Sequence, residues 1–252
     1  MSVEAETGRI IWHDLLTQDI SLVKSFYADL LGWEYQIEHA SDFVWRSGEA
    51  DYPLIIAEGE AHGGFVNSGK GIVSRWLAYV MVKDVDDMTA SAKSLGATII
   101  RDPFDTPGVG RSAVIQDLQG GVIGLTFPTH HFPAPSGTFL QDELITDDVD
   151  SAMLFYCDLF GWEAQDIEEV GPGRHAVLNS TDRDGVVGVT NQFFEAVGCA
   201  LWMPYFATDD VGIATAKAKA LGASLCVDSI STINGERKAI LSDPTGAVFG
   251  LL

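Results

Sequence analysis

The chain has 252 residues, with 36 Asp and Glu against 15 Lys and Arg, a formal net charge of −21, and 46% apolar residues. That apolar content supplies a core and argues against disorder, while the acidity excludes a nucleic-acid backbone or an anionic membrane as partner. No apolar run approaches the roughly 18 to 20 residues of a membrane-spanning helix. The acidic, polar stretch from Met1 to Arg9 reads as no secretory leader, and three dispersed cysteines (Cys157, Cys199, Cys226) suit free thiols, so a cytoplasmic location is expected.

In chain order, Ile10 to Thr17 is a β-like run. Asp19 or Ser21 caps a helix whose apolar residues Leu22, Val23, Phe26, Leu30 and Leu31 recur at helical spacing, and Gly32 ends it. Short strands are predicted at Tyr52 to Ala57 and Gly63 to Val66, and a long one from Trp76 to Val82. Asp84 caps a second helix that ends at Leu95-Gly96, and Thr98 to Ile100 resumes strand. Ser112 to Ile115 and Val122 to Phe127 are strands joined by the turn Asp117-Leu-Gln-Gly120.

The same pattern then recurs. Asp19 to Glu34 (DISLVKSFYADLLGWE) and Asp148 to Glu163 (DVDSAMLFYCDLFGWE) share eight of 16 residues at an offset of 129. Trp76 to Val85 matches Trp202 to Val211, Leu95-Gly96-Ala97 matches Leu221-Gly222-Ala223, and Arg111 to Gly124 matches Arg237 to Gly250, all at an offset of 126. The chain is a tandem duplication. Pro128 to Gly137 holds three prolines and reads as an extended connector. The expected organisation is a module pair at 1–128, a linker at 129–137 and a second pair at 138–252, an α+β chain of four βαβββ units. Both halves are acidic, with 18 acidic residues against 9 basic and 18 against 6.

A strand, then D-x-x-x-(A/S)-x-x-FY-x-x-L-(L/F)-GW, then a long strand, a helix ending in LGA and a D-(P/x)-x-G turn resembles the vicinal oxygen chelate superfamily, which holds glyoxalase I, extradiol dioxygenases, and fosfomycin- and bleomycin-resistance proteins. The doubled FY-x-x-LFGW form is similar to two-module members labelled glyoxalase or hydroxylase. The resemblance implies paired βαβββ units forming half-barrel cups with the ligand inside. Metal enzymes of the group place His, Gln or Glu ligands seven residues before the Asp of each helix, seven after the turn Asp, and on the fourth strand. In this chain those places hold Trp12, Gln141, Leu77, Met203, Gly124 and Gly250, with Gly64 and Gly188 on the fourth strands. Only Gln141 offers a donor, whereas a divalent ion needs about three or four donors at roughly 2.0–2.6 Å. His13 lies beside the first place, but strand alternation turns it away from Trp12 and Asp14. His13 and Gln141 are thus the weak metal candidates; no cofactor is expected, with a divalent metal as the alternative.

Asp14 and Glu143 are equivalent, share strand parity with the first ligand places, and are candidates for ligand binding or acid–base work. Arg111 and Arg237 could clamp a carboxylate, or serve as structural salt bridges holding the last hairpin. Trp12, Trp76, Trp202, Tyr79 and Tyr205 suit an aromatic wall for a flat ligand, or ordinary core. Trp33, Trp162, Tyr27 and Tyr156 read as packing residues. Two functional readings follow. One is a metal-free binding protein that sequesters or carries a small molecule. The other is an enzyme, either a metal-dependent lyase, isomerase or dioxygenase or a metal-free acid–base catalyst. The expected partner is a small-molecule ligand, with neither nucleic acid nor membrane, in a monomer with an internal pseudo-dimer or a homodimer.

Overall fold

In the computed structural model the described residues are 7–43, 46–69, 71–107, 109–129, 138–170, 173–179, 186–231 and 237–252. The expected connector, apart from Pro128 and Thr129, lies outside them, as do the first six residues. Four βαβββ modules follow one another. The first is β1 (Ile10–Thr17), α1 (Ile20–Leu31), β2 (Glu34–Phe43), β3 (Arg46–Ala57) and β4 (Glu60–Asn67). The second is β5 (Arg75–Met81), α2 (Val85–Ser94), β6 (Thr98–Thr106), β7 (Gly110–Gln116) and β8 (Val122–Pro128). The third is β9 (Phe139–Ile145), α3 (Val149–Phe160), β10 (Glu163–Val170), β11 (Gly173–Asn179) and β12 (Val186–Thr190). After a short helix α4 (Phe194–Val197) comes the fourth, β13 (Leu201–Phe206), α5 (Val211–Ala220), β14 (Ser224–Ser231), β15 (Arg237–Ser242) and β16 (Val248–Leu251).

The four long helices start where the sequence places a capping Asp. Asp19, Asp84, Asp148 and Asp210 each accept a backbone N–H from the first turn, at 3.0, 2.9, 3.0 and 2.8 Å. Gly32 and Gly161 end α1 and α3 with φ of 75° and 70°, the left-handed geometry that glycine adopts without penalty. The βαβββ pattern requires a strand after α1, but the sequence does not locate β2. Its sequence, EYQIEHASDF, has no sustained apolar face, and it forms an edge strand held by its hairpin with β3.

The strands form two eight-stranded sheets in the equivalent orders β2-β3-β4-β1-β5-β8-β7-β6 and β10-β11-β12-β9-β13-β16-β15-β14. Within them β1 pairs with β4, and β9 with β12, in parallel. The fold is α+β with two module pairs, as the repeat implies.

The sheets follow the sequence halves, but the compact units do not. One unit is drawn from Met1–Trp12, Ala78–Ala134 and Gln141–Trp202, the other from His13–Leu77, Pro135–Leu140 and Met203–Leu252. The core of the first joins Val80, Val85, Ile115 and Leu125 to Phe155, Tyr156, Trp162 and Trp202. The core of the second joins Leu15, Phe26, Tyr27 and Phe65 to Phe206, Val211, Leu241 and Phe249. Each of the four long helices therefore buries its apolar stripe with residues from the other half of the chain.

Candidate functional site

Strand parity sorts the candidate residues onto two faces. Leu15 on β1 and Leu144 on β9 lie in the helix-covered cores, so Asp14 and Glu143 project from the opposite face. Both carboxylates are buried, Glu143 completely. In the first half, Tyr52 of β3 donates its phenol proton to Asp14 Oδ1 at 2.5 Å. The ring lies on Gly64, where an added Cβ would come within 2.0 Å of Tyr52 Cζ. In the second half, His175 of β11 takes the place of Tyr52. Each stands two residues before the partner of the strand glycine, Leu54 opposite Gly64 and Val177 opposite Gly188. The imidazole Nε2 of His175 lies 3.2 Å from Glu143 Oε1, and its side chain is 21% exposed. Glu143 and Gln141 both fold over Gly188, where an added Cβ would meet Glu143 Oε1 at 3.0 Å and Gln141 Nε2 at 3.2 Å. Neither Tyr52 nor His175 stands out in the sequence as a site residue, because the strands that carry them lie outside the repeated blocks.

The expected aromatic wall divides. Tyr79 and Tyr205 share the face of the strand glycines and are buried. Tyr79 covers Gly124 and Tyr205 covers Gly250, and an added Cβ would lie 2.1 and 2.2 Å from the respective rings. Lys238 stands over the Tyr205 ring at 5.2 Å. Trp12 has the parity of Asp14 and is half-buried. Trp76 and Trp202, by contrast, belong to the helix-side cores. Trp76 Nε1 donates to Tyr27 Oη at 3.2 Å, and Trp202 Nε1 to Tyr156 Oη at 2.8 Å. The two tyrosines pass the chain on, Tyr27 to Asp243 Oδ2 at 3.1 Å and Tyr156 to Asp117 Oδ2 at 2.8 Å. Burial pushes both phenols well above their ordinary range and raises both carboxyls, although turn N–H groups donate to them. Placing Trp76 and Trp202 on the ligand face is thus corrected: even parity on β5 and β13 faces the helices.

Of the two arginines, Arg111 takes the structural alternative, a salt bridge on the last hairpin. Arg111 has the parity of the core residues Ala113 and Ile115, and forks onto Asp86 of α2 at 2.5 and 2.7 Å and onto Asp105 at 2.9 Å. These carboxylates raise its pKa, and its guanidinium depresses that of Asp86. It is the hairpin clamp rather than a ligand clamp. Arg237 shares parity with Ala239 and Leu241 of the core. It lines a groove of about 370 Å³ with Leu140, Thr208, Asp209, Asp210, Val211 and Leu252. The acids equivalent to Asp86 and Asp105 are replaced there by Gly212 and Ser231.

These residues do not fit the metal centre that the fold family implies. His13 stacks on Phe139 at 4.2 Å on the helix side. Three of the four strand glycines lie beneath tyrosine rings, Trp12, Leu77 and Met203 bring no donor, and Gln141, folded over Gly188, is the one donor among the eight places. Among the described residues no three His, Cys, Asp or Glu side chains converge as a ligand set.

Comparison with known proteins matches residues 138–251 to the model of the Glyoxalase/Bleomycin resistance protein/Dioxygenase superfamily. A protein of Mycobacterium tuberculosis named "Putative glyoxylase CFP32" is 30% identical, covering 99% of this chain and 96% of its own. Anthracycline biosynthesis protein DauV of a Streptomyces species is 25% identical, over 97% of this chain and 93% of its own. The crystal structure of the Mn(II)-bound glyoxalase from Novosphingobium aromaticivorans has the same fold, with a TM-score of 0.60 at 14% identity over 98% of this chain and 82% of that one. The chain belongs to the Glyoxalase/Bleomycin resistance protein/Dioxygenase superfamily.

Proposed function

We propose that this protein binds a small organic molecule on the sheet faces turned away from its helices, without a resident metal, in a sequestering or carrier role. The observation that carries this reading is the tyrosine-over-glycine packing at Gly64, Gly124 and Gly250. A liganding side chain at any of these places would have to displace a buried ring from a close-packed interior. On that face the half-buried His175 and Gln141, backed by the buried Glu143, supply polar groups for a ligand. The name of the Streptomyces relative supports screening anthracyclines first.

Metal analysis of untagged protein, followed by a thermal-shift panel, tests the reading. The expected result is a substoichiometric metal content and a stabilisation of about 2.7 kcal/mol by a binder present at about 100 times its Kd. Stoichiometric Mn, Fe, Ni or Zn that reports a protein-ligated centre by spectroscopy would overturn it in favour of the metal-dependent enzymes of the superfamily. One observation favours a second reading, a metal-free acid–base catalyst: an imidazole paired with a fully buried carboxylate at Glu143 and His175.

A further inference from the structure

The two halves treat their buried carboxylates differently. Asp14 is closed off by a phenol, with 4% and 8% of Asp14 and Tyr52 exposed. At the equivalent place the second half puts an imidazole, which keeps 21% of its side-chain surface in contact with solvent. If satisfying a buried carboxylate were the whole task, the tyrosine of the first half shows that a hydroxyl suffices. An imidazole differs in having a second nitrogen. With Nε2 committed to Glu143, the carboxylate holds the tautomer that has its proton on Nε2 and leaves Nδ1 as an acceptor. Parity places His175, Gln141 and Val177 on one face around Gly188, all three half-buried, with Glu143 behind them. That combination is a hydrogen-bond acceptor with a buried counter-charge, an amide beside it and an apolar neighbour.

We infer that Glu143 and His175 form a proton-accepting site in the second half of the chain, and that its ligand is a molecule with an acidic hydroxyl, a phenol or an enol. The ligand O–H proton passes to Nδ1 of His175. The imidazolium formed is held by the Glu143 carboxylate on Nε2, and the ligand remains as the phenolate or enolate paired to it, so no other reactant is needed. An aliphatic alcohol is too weak an acid to make this transfer, and a ligand without a hydroxyl leaves Nδ1 unmatched. Gln141 supplies a donor for the oxyanion or for a neighbouring carbonyl. This inference rests on the proposal that the protein binds small molecules on this face, and extends it to the ligand's chemistry.

The test uses 4-nitrophenol, whose anion has its own visible band, with 4-nitroanisole as the hydroxyl-free control. Both are titrated with the intact protein at a pH below the phenol's own pKa. The expected result is an anion-to-phenol ratio about tenfold higher in the bound state than in free solution, equivalent to one pKa unit. His175→Gln should abolish that shift. Glu143→Gln should abolish it too while retaining binding, since a neutral amide offers no counter-charge to the imidazolium. Circular dichroism confirms that each variant is folded. Should either variant not fold, nitrogen-15 NMR of wild-type His175 decides, a proton on Nδ1 rather than Nε2 counting against the site. An unchanged spectrum with binding of both probes would overturn the proton-accepting site and leave the small-molecule reading standing. Equal anion formation by wild type and His175→Gln would also overturn it. If neither probe binds, the assignment of this ligand class fails, whereas the small-molecule reading is judged by the thermal-shift panel.

Discussion

The Tyr27 phenol and the Asp243 carboxylate are 216 positions apart in sequence and 3.1 Å apart in space. Tyr27→Phe and Tyr156→Phe each remove a donor to a buried carboxylate and an acceptor for an indole, and each should destabilise the fold by about 1.5–3 kcal/mol in urea unfolding. The carboxyls themselves are raised by burial, so their neutral form is favoured in the fold. The corresponding stabilisation is full below about pH 4, the ordinary carboxylate value, and is lost as the pH rises through the higher native value. The stability of wild type relative to Asp243→Asn should accordingly be greatest near the acid end and fall as the pH rises through that window. Much of this was legible as pattern: FY and D-x-x-G stand out because they repeat. Their partnership was not, since nothing local to Tyr27 points to a residue near the other end of the chain. His175 left one trace, being the only histidine beyond the connector, but its role depends on strand register that sequence does not display.

On the scale of single elements, β5 with β8 and β13 with β16 each bring a tyrosine to a glycine. Gly250→Ala places a methyl group inside the Tyr205 ring, and should cost about 1–3 kcal/mol through ring displacement. Its signature would be a changed near-ultraviolet tyrosine signal with the far-ultraviolet spectrum preserved. The β6–β7 hairpin is tied to α2 by the exposed Arg111 fork. Arg111→Gln should lower Tm only slightly, and the difference from wild type should vanish in high salt, as screening of surface charge requires. Binding of any small-molecule ligand should be unaffected, because the guanidinium lies on the helix side of β7. The helices and long strands were legible from caps and apolar spacing. β2 was not, because Ile37 is 42% exposed and, of its described side chains, Tyr35 alone packs against a core, too little to impose alternation.

For the whole molecule, the duplication is completed by exchange. Residues 1–128 supply Tyr27, Phe26 and Phe65 but not the Phe206, Leu241 and Phe249 that enclose them. Expressed separately, neither 1–128 nor 138–252 should give a monomer with native near-ultraviolet dichroism. Mixing the two should restore a one-to-one complex, measurable by light scattering, and a folded monomeric half would contradict the shared cores. The full chain should run as a monomer in the same measurement, since the exchange supplies internally what a single-module protein would seek from a second copy. The same arrangement imposes an order on biosynthesis. Among the described residues, the core around Tyr156 uses nothing beyond Trp202, whereas the core around Tyr27 draws on residues up to Leu251. On the ribosome the inner stretch of the chain can finish its core while the earlier-made α1 still waits, its apolar face uncovered, for the last strand to emerge. Residues 13–77, translated before most of the first core, thus become native after it, and a chain terminated after Trp202 would carry one finished core and one stranded helix.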